Sequence, residues 1–253
     1  MRIRGHKLKR KGVWKMYLQL WLNKRGYRVS RFFPKDLESD KDFMKIYDNC
    51  VNTTTVERMY SLYNSLKYII KNKIKGDFVE CGVAGGESCK LIALTLIKLK
   101  ETNRKIYLYD TYEGQPKPCG EDGEKAVNVW ERYTKEEKEN PYVYNLEDVK
   151  RNMYSIKYPA ENLIFVKGNV IDTIPKTTPS KIALLRLDTD FYESTYHELK
   201  HLYPLVMGGG VILIDDYGCS VGAKKAVERY IKENNVRLLL NRIDGTGRVS
   251  IKL

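Results

Sequence analysis

The stretch Leu185-Arg-Leu-Asp-Thr-Asp-Phe191, taken with Val211-Ile-Leu-Ile-Asp-Asp-Tyr217, decides the fold. Each is a short apolar run that breaks off in carboxylates. A helix-like stretch and the turn Gly208-Gly-Gly210 lie between them. That is β-α-β order, so the two runs are expected as neighbouring parallel strands, roughly 5 Å apart. Asp188, Asp190, Asp215 and Asp216 then gather at the carboxyl edge of one sheet, where open α/β sheets place their ligands. Carboxylates crowded together repel each other unless a cation sits among them. An oxygen-only cluster favours a hard ion such as Mg²⁺.

The rest of the chain extends this pattern in both directions. Asp77-Phe-Val-Glu-Cys81 reads as a first strand, Gly82-Val-Ala-Gly-Gly86 as a turn and Ser88 to Leu99 as a helix. Lys105 to Tyr109 is a second strand, closed by Asp110; Asn162 to Val166 is a third; Ala183 to Leu187 and Val211 to Ile214 are the fourth and fifth. Strands alternating with helices predict a doubly wound, mostly parallel sheet with right-handed crossovers. Val236 to Leu240 and Arg248 to Lys252 flank Asp244-Gly-Thr-Gly and predict a closing antiparallel hairpin. Residues 40–75 read as helical, with Met59, Leu62, Leu66, Ile69 and Ile70 at helical spacing. Residues 111–160 are too long for an ordinary connection and are expected to form a lid insertion over the site, the plainer alternative being a solvated surface insertion. A helix is expected to start there with Asn145 as its N-cap.

The 253 residues suffice for one large α/β domain with appendages. The net charge of +13 has an address. Residues 1–35 carry twelve Lys or Arg and no acid, leaving 33 basic against 32 acidic residues in the remainder. The chain therefore divides into a basic aromatic arm, 1–36, and a nearly neutral body, 37–253. The arm contains Val13-Trp-Lys-Met-Tyr-Leu-Gln-Leu-Trp-Leu22 between basic flanks. Such a segment either packs on the body or a second subunit, or lies on an anionic membrane or glycolipid surface. No nucleic-acid partner is expected, because nothing matches a known reading motif. Lys15 and Gln19 interrupt the apolar stretch, which argues against a signal peptide. No run reaches the roughly eighteen apolar residues of a membrane span. Five scattered cysteines suit reduced thiols, hence a cytoplasmic protein with optional peripheral attachment.

The first turn suggests a second ligand. Its glycines let the backbone approach a bound molecule closely. Asp110, ending the next strand, stands where nucleoside-binding sheets hold a ribose diol. Lys167-Gly-Asn-Val170 ends the third strand, and Asn169 could meet an adenine edge there. In this order the three elements favour an adenosine ligand. NAD is disfavoured, because the first turn is not GxGxxG.

A rival reading comes from His197-Glu-Leu-Lys-His201, which matches the H-E-x-x-H pattern of zinc hydrolases. Two histidines at i and i+4 share a helix face and can both reach Zn²⁺. No histidine follows them to act as third ligand. A non-catalytic binding protein, with the arm as its working part, is the remaining alternative.

Six segments carry a family resemblance: Thr54-Thr-Val-Glu-Arg58, Gly76-Asp-Phe-Val-Glu-Cys-Gly-Val83, Tyr109-Asp-Thr-Tyr-Glu-Gly114, Phe165-Val-Lys-Gly168, Leu185-Arg-Leu-Asp-Thr-Asp-Phe-Tyr-Glu-Ser194 and Ile214-Asp-Asp-Tyr-Gly218. Over about residues 50–230 the chain resembles the macrocin O-methyltransferase (TylF) family of sugar O-methyltransferases. The resemblance implies a Rossmann-like class I methyltransferase fold, S-adenosylmethionine, a divalent ion such as Mg²⁺, a sugar or glycan acceptor and a homo-oligomer. It implies cofactor contacts at Thr54, Glu80, Gly82, Ser88, Asp110 and Asn169. It implies metal ligation by Asp188, Asp215 and Asp216, with Asp188 and Asp190 as the catalytic pair and Asp190 as candidate base. Two departures stand out. The family's Trp-Arg-Gly-Gly-Ser after Gly-Val is Ala84-Gly-Gly-Glu-Ser88 here, and its usual acid in the third turn is Asn169.

Overall fold

The computed structural model describes residues 34–50, 54–135 and 143–253. Most of the arm, including the aromatic segment 13–22, lies outside them. The chain divides into two compact units, Met1–Lys41 and Asp42–Leu253. Of the first, helix α1 (Lys35–Ser39) is described. The second begins within α2 (Lys41–Tyr47) and holds the whole sheet.

Seven described strands form one sheet in the order β3-β2-β1-β4-β5-β7-β6. They are β1 (Asp77–Cys81), β2 (Ile106–Asp110), β3 (Leu163–Lys167), β4 (Ile182–Leu187), β5 (Val206–Ile214), β6 (Asn241–Arg242) and β7 (Arg248–Ile251). The first five are parallel, and β7 runs antiparallel to both β5 and β6. The strand order reverses between β1 and β4, so their carboxyl ends form the crevice of a doubly wound sheet. The expected neighbours are paired, with Leu187 beside Ile214.

The apolar faces of the strands alternate as a pleated sheet requires. Val79, Cys81, Leu185, Leu187, Ile212 and Ile214 join one core with Leu199 and Leu202 of α8 (Tyr192–Leu202) and Val227 and Tyr230 of α9 (Val221–Glu233). The opposite face meets α3 (Val56–Lys71) and α4 (Glu87–Lys98). Among its residues are Glu80 and Arg186, side by side in register on β1 and β4.

Two expectations are corrected. Gly208-Gly-Gly210 is not a turn before the fifth strand but part of β5. Gly209 adopts φ +81°, the register slips between Ile182 and Leu184, and the glycine backbone still pairs with Lys252. Glycine can take the left-handed angle of a bulge without leaving the ladder. The hairpin is also shorter than expected. Val236 to Leu240 forms no strand: Val236, Leu238 and Leu240 alternate against the core while Leu239 is 83% exposed. The alternation reflects packing on one side, and among the described residues no neighbouring strand supplies a ladder there.

Residues 111–160 contain a 3-10 turn at Gly120–Asp122, α5 (Glu124–Lys135) and α6 (Leu146–Tyr154). Asn145 caps α6 as expected, accepting from Asp148 N–H at 2.9 Å.

Candidate active site

The ends of β4 and β5 bring Asp188, Asp215 and Asp216 together, each with a carboxylate oxygen within 4.8 Å of the others. Asp188 N–H donates to the Cys81 carbonyl and Asp215 N–H to the Leu187 carbonyl, so these two continue the strand ladder, and Asp216 directly follows. Burial pushes the Asp188 carboxyl well up; Arg186 pulls it back, and the charges of Asp215 and Asp216 push it up again. Burial and the charges of Asp190 and Asp215 raise Asp216. Such clustered, incompletely compensated carboxylates fit a hard divalent cation, as the all-oxygen donor set does.

Two guanidinium groups offset part of this charge. Arg186, 5% exposed, pairs with Glu80, with Asp188 at 2.8 Å and with Asp215 at 2.8 Å. Arg58 of α3 pairs with Asp215 and, at 2.8 Å, with Asp244 of the β6–β7 turn. Asp244 in turn accepts from Thr55 Oγ1 (2.6 Å) and from the N–H groups of Thr246 and Gly247 (2.8 and 2.7 Å). The start of α3, the terminal hairpin and the acidic edge thus form one polar network.

Asp190 stands apart from the strand alternation. Its φ of +64° places a non-glycine residue in the left-handed region, a strain typical of functional turns. Its carboxylate accepts from Gln115 in the 111–160 segment and shares a hydrogen bond with Asp216. Its carbonyl accepts from Ser220, the N-cap of α9. Burial and the Asp188 charge raise its carboxyl to about 6, against the hydrogen bonds from Asp216 and Gln115. It does not cap α8. That helix has no cap from its own Phe191; Asp122 supplies one from the 3-10 turn, accepting from Tyr192 N–H at 2.7 Å.

On the neighbouring strand, Gly82 takes φ +84°, and a Cβ there would overlap the Asp188 carbonyl. Only glycine lets the first turn pass this close to the acidic edge. Asp110 binds the turn directly: Oδ2 accepts from Val83 and Ala84 N–H (2.8 and 3.0 Å) and Oδ1 from Tyr112 N–H (2.7 Å). Glu80 is fully buried beneath the turn, accepting from Ser88, Cys89 and Arg186. Glu80 and Ser88 therefore hold the turn from below, bonded to each other. Asn169 caps the short helix α7 (Val170–Thr173), its Oδ1 accepting from Ile171 N–H at 3.0 Å. Thr54 Oγ1 is buried without a hydrogen-bond partner. Asn152 of α6 donates to the Gly85 carbonyl at 2.9 Å, which ties the 111–160 segment to the turn.

Gln115, Asp122 and the carboxylate-orienting role of Arg58 and Arg186 were not legible beforehand. Arg186 alone carried a signal, a charge inside an otherwise apolar strand, which demands a buried partner. The His197-to-His201 segment assembles no metal site. The two rings lie 4.3 Å apart, but among the described residues Asp188, Asp215 and Asp216 are the one group of three close donors. Glu198 is fully buried and accepts from Thr189 at 3.0 Å.

Comparison with known proteins identifies the family and the fold. The sequence profile described as Macrocin-O-methyltransferase (TylF) matches residues 13–250. Demethyldecarbamoylnovobiocin O-methyltransferase of Streptomyces niveus is 30% identical over 192 residues, covering 76% of this chain and 72% of that protein. Mycinamicin III 3''-O-methyltransferase of Micromonospora griseorubida is 26% identical over 217 residues, covering 85% and 83%. The solved structure of the O-methyltransferase NovP superimposes with a TM-score of 0.72 at 25% identity, over 87% of this chain and 99% of that one. The calicheamicin methyltransferase CalS11 shares the fold, with a TM-score of 0.58 at 16% identity over 99% and 98%.

Proposed function

The chain belongs to the macrocin O-methyltransferase (TylF) family of S-adenosylmethionine-dependent enzymes, and from that premise we propose that it methylates a hydroxyl of a sugar or glycan with the help of a hard divalent cation, Mg²⁺. The observation that carries this reading is the carboxylate trio Asp188, Asp215 and Asp216, set one strand away from the Gly82 turn. The relatives named for novobiocin and mycinamicin methylation support a natural-product or sugar acceptor.

A sugar hydroxyl holds its proton tightly and is a poor nucleophile. Mg²⁺ held by Asp188, Asp215 and Asp216 would supply Lewis acidity toward that oxygen, and S-adenosylmethionine the methyl group. The chain's own residues do the rest. Arg186 and Arg58 fix the rotamers of Asp188 and Asp215, so the donors are preorganised. Asp190, whose carboxyl is raised by burial and by the Asp188 charge, can receive the hydroxyl proton on its carboxylate. Gln115 holds that carboxylate toward the cleft from the lid side. Asp110, through the backbone of the glycine turn, and Asn169 are the proposed ribose and adenine contacts. Gly82 gives the cofactor access to the acidic edge. Thr54, Glu80 and Ser88 complete that wall, the latter two by supporting it.

Calorimetric titration of S-adenosylhomocysteine, followed by methyl transfer to a panel of nucleotide sugars and glycosides with Mg²⁺ or EDTA, tests the reading. Micromolar binding and EDTA-sensitive turnover are expected. Failure to bind under any condition would refute the methyltransferase assignment, and full activity in EDTA would refute the metal.

A further inference from the structure

One carboxylate of the glycine turn is in no ion pair among the described residues. Glu87 opens α4 behind Gly86, which holds φ +88°. Its side chain folds back over the turn: a Cβ on Gly85 would lie 2.9 Å from both Glu87 Cδ and Oε2. The residue is 8% exposed. Its carboxylate accepts from its own backbone N–H, and among the described residues it makes no salt bridge. Lys90, one helical turn on, places its ammonium on Asn152 Oδ1 at 2.9 Å instead. Burial raises the Glu87 carboxyl and the charge of Glu80 adds to this, while its own backbone hydrogen bond and the charge of Lys90 pull it back. The helix N-terminus favours an acid here, but a buried carboxylate short of a counterion is a standing cost that a cationic ligand would offset.

We propose that Glu87 is a cofactor-binding residue whose carboxylate receives the α-ammonium at the amino-acid end of S-adenosylmethionine. The inference rests on the methyltransferase reading above and assigns a contact within it. Of the cofactor's two cations, the sulfonium must face the acceptor oxygen at the acidic edge. Glu87 opens the helix that follows the glycine turn, whereas the acidic trio follows the ends of β4 and β5. It therefore serves the other end of the molecule. The Gly85 carbonyl already accepts from Asn152.

The test is titration calorimetry of the full chain and of Glu87→Gln with two ligands: S-adenosylhomocysteine and its deamino analogue, which keeps the thioether and carboxylate but lacks the ammonium. Glu87→Gln should bind S-adenosylhomocysteine about tenfold or more weakly, the scale of a charge-assisted hydrogen bond. It should bind the deamino analogue as the unmodified chain does, and Glu87→Asp should recover part of the loss. Equal affinity of both proteins for S-adenosylhomocysteine would overturn the proposal. So would an equal loss for both ligands, which would mean that Glu87 only shapes the turn. If the unmodified chain binds neither ligand, the methyltransferase reading fails first. The amide is isosteric, and its ligand-free melting temperature is expected to match or exceed that of the parent, which separates binding from folding.

Discussion

Arg186 is the one charged residue of β4, and three carboxylates converge on it: Glu80, Asp188 and Asp215. Arg186→Met would leave Glu80 buried with hydroxyl and thiol partners but no positive charge. Losing one partner of a buried ion pair costs roughly 3 to 5 kcal/mol, so the urea midpoint should fall sharply, whereas a surface Arg229→Met should barely move it. Asp244 allows a test with pH. Burial opposes its ionisation, but bonds from Thr55, Gly247, Thr246 and Arg58 hold its carboxyl down at about 2. A depressed folded pKa contributes stability that is present above the unfolded value, near 4, and is lost as pH falls toward 2. Asp244→Asn should therefore be less stable than the parent at neutral pH, by about 1 kcal/mol once solvent screening is allowed for. Chemical denaturation from pH 7 to pH 3 should show a constant gap that narrows below about pH 4.5. At this scale, the sequence exposed carboxylates that end strands, since an apolar run stopping in Asp is visible locally. It concealed what holds them. Arg58 and Asp244 meet across 186 residues, and no local pattern announces that contact.

The elements were legible where one periodicity governed both faces. β1 to β4 fall within a residue or so of their expected limits, because buried parallel strands are continuous apolar runs. The glycines of β5 and the 236–240 segment were misread for the same reason: strand identity depends on a partner, which composition does not encode. The cap of α8 is another case. Its N-cap residue, Phe191, offers no side-chain acceptor, and Asp122 arrives from 70 residues upstream. A Cβ on Gly222 in α9 would overlap the Asp122 carboxylate, so the 3-10 turn, α8 and α9 are fitted to one another. Asp122→Ala should cost about 1 to 2 kcal/mol, the range of a lost N-cap. It should also speed proteolysis within 111–160, because that turn fastens the segment ahead of α5. Unchanged cleavage kinetics would mean that the segment is held elsewhere.

For the whole molecule, charge is the property that sequence alone assigned to a region. The arm carries twelve of the 45 basic residues, and the remainder is close to neutral. Among the described residues no helix is long and apolar enough to cross a membrane. Deleting residues 1–35 is expected to abolish co-sedimentation with anionic vesicles at low salt and to leave turnover of a small soluble acceptor unchanged. Vesicle binding that survives the deletion would assign attachment to the body instead.

The bond between Arg58 and Asp244 also sets an order of events in synthesis. At 5 to 20 residues per second, the 186 residues between them take roughly 10 to 40 seconds to leave the ribosome. Throughout that interval β1, β2 and β3 can form, and later β4 and β5, while the guanidinium that steadies Asp215 waits for its second anchor. A nascent chain halted after α9 would expose the edge of β5 that β7 later covers, together with an acidic cluster lacking part of its framework. Assembly of the site therefore coincides with completion of the hairpin, and a chaperone or protease surveying the ribosome exit would find interrupted chains distinguishable from finished ones.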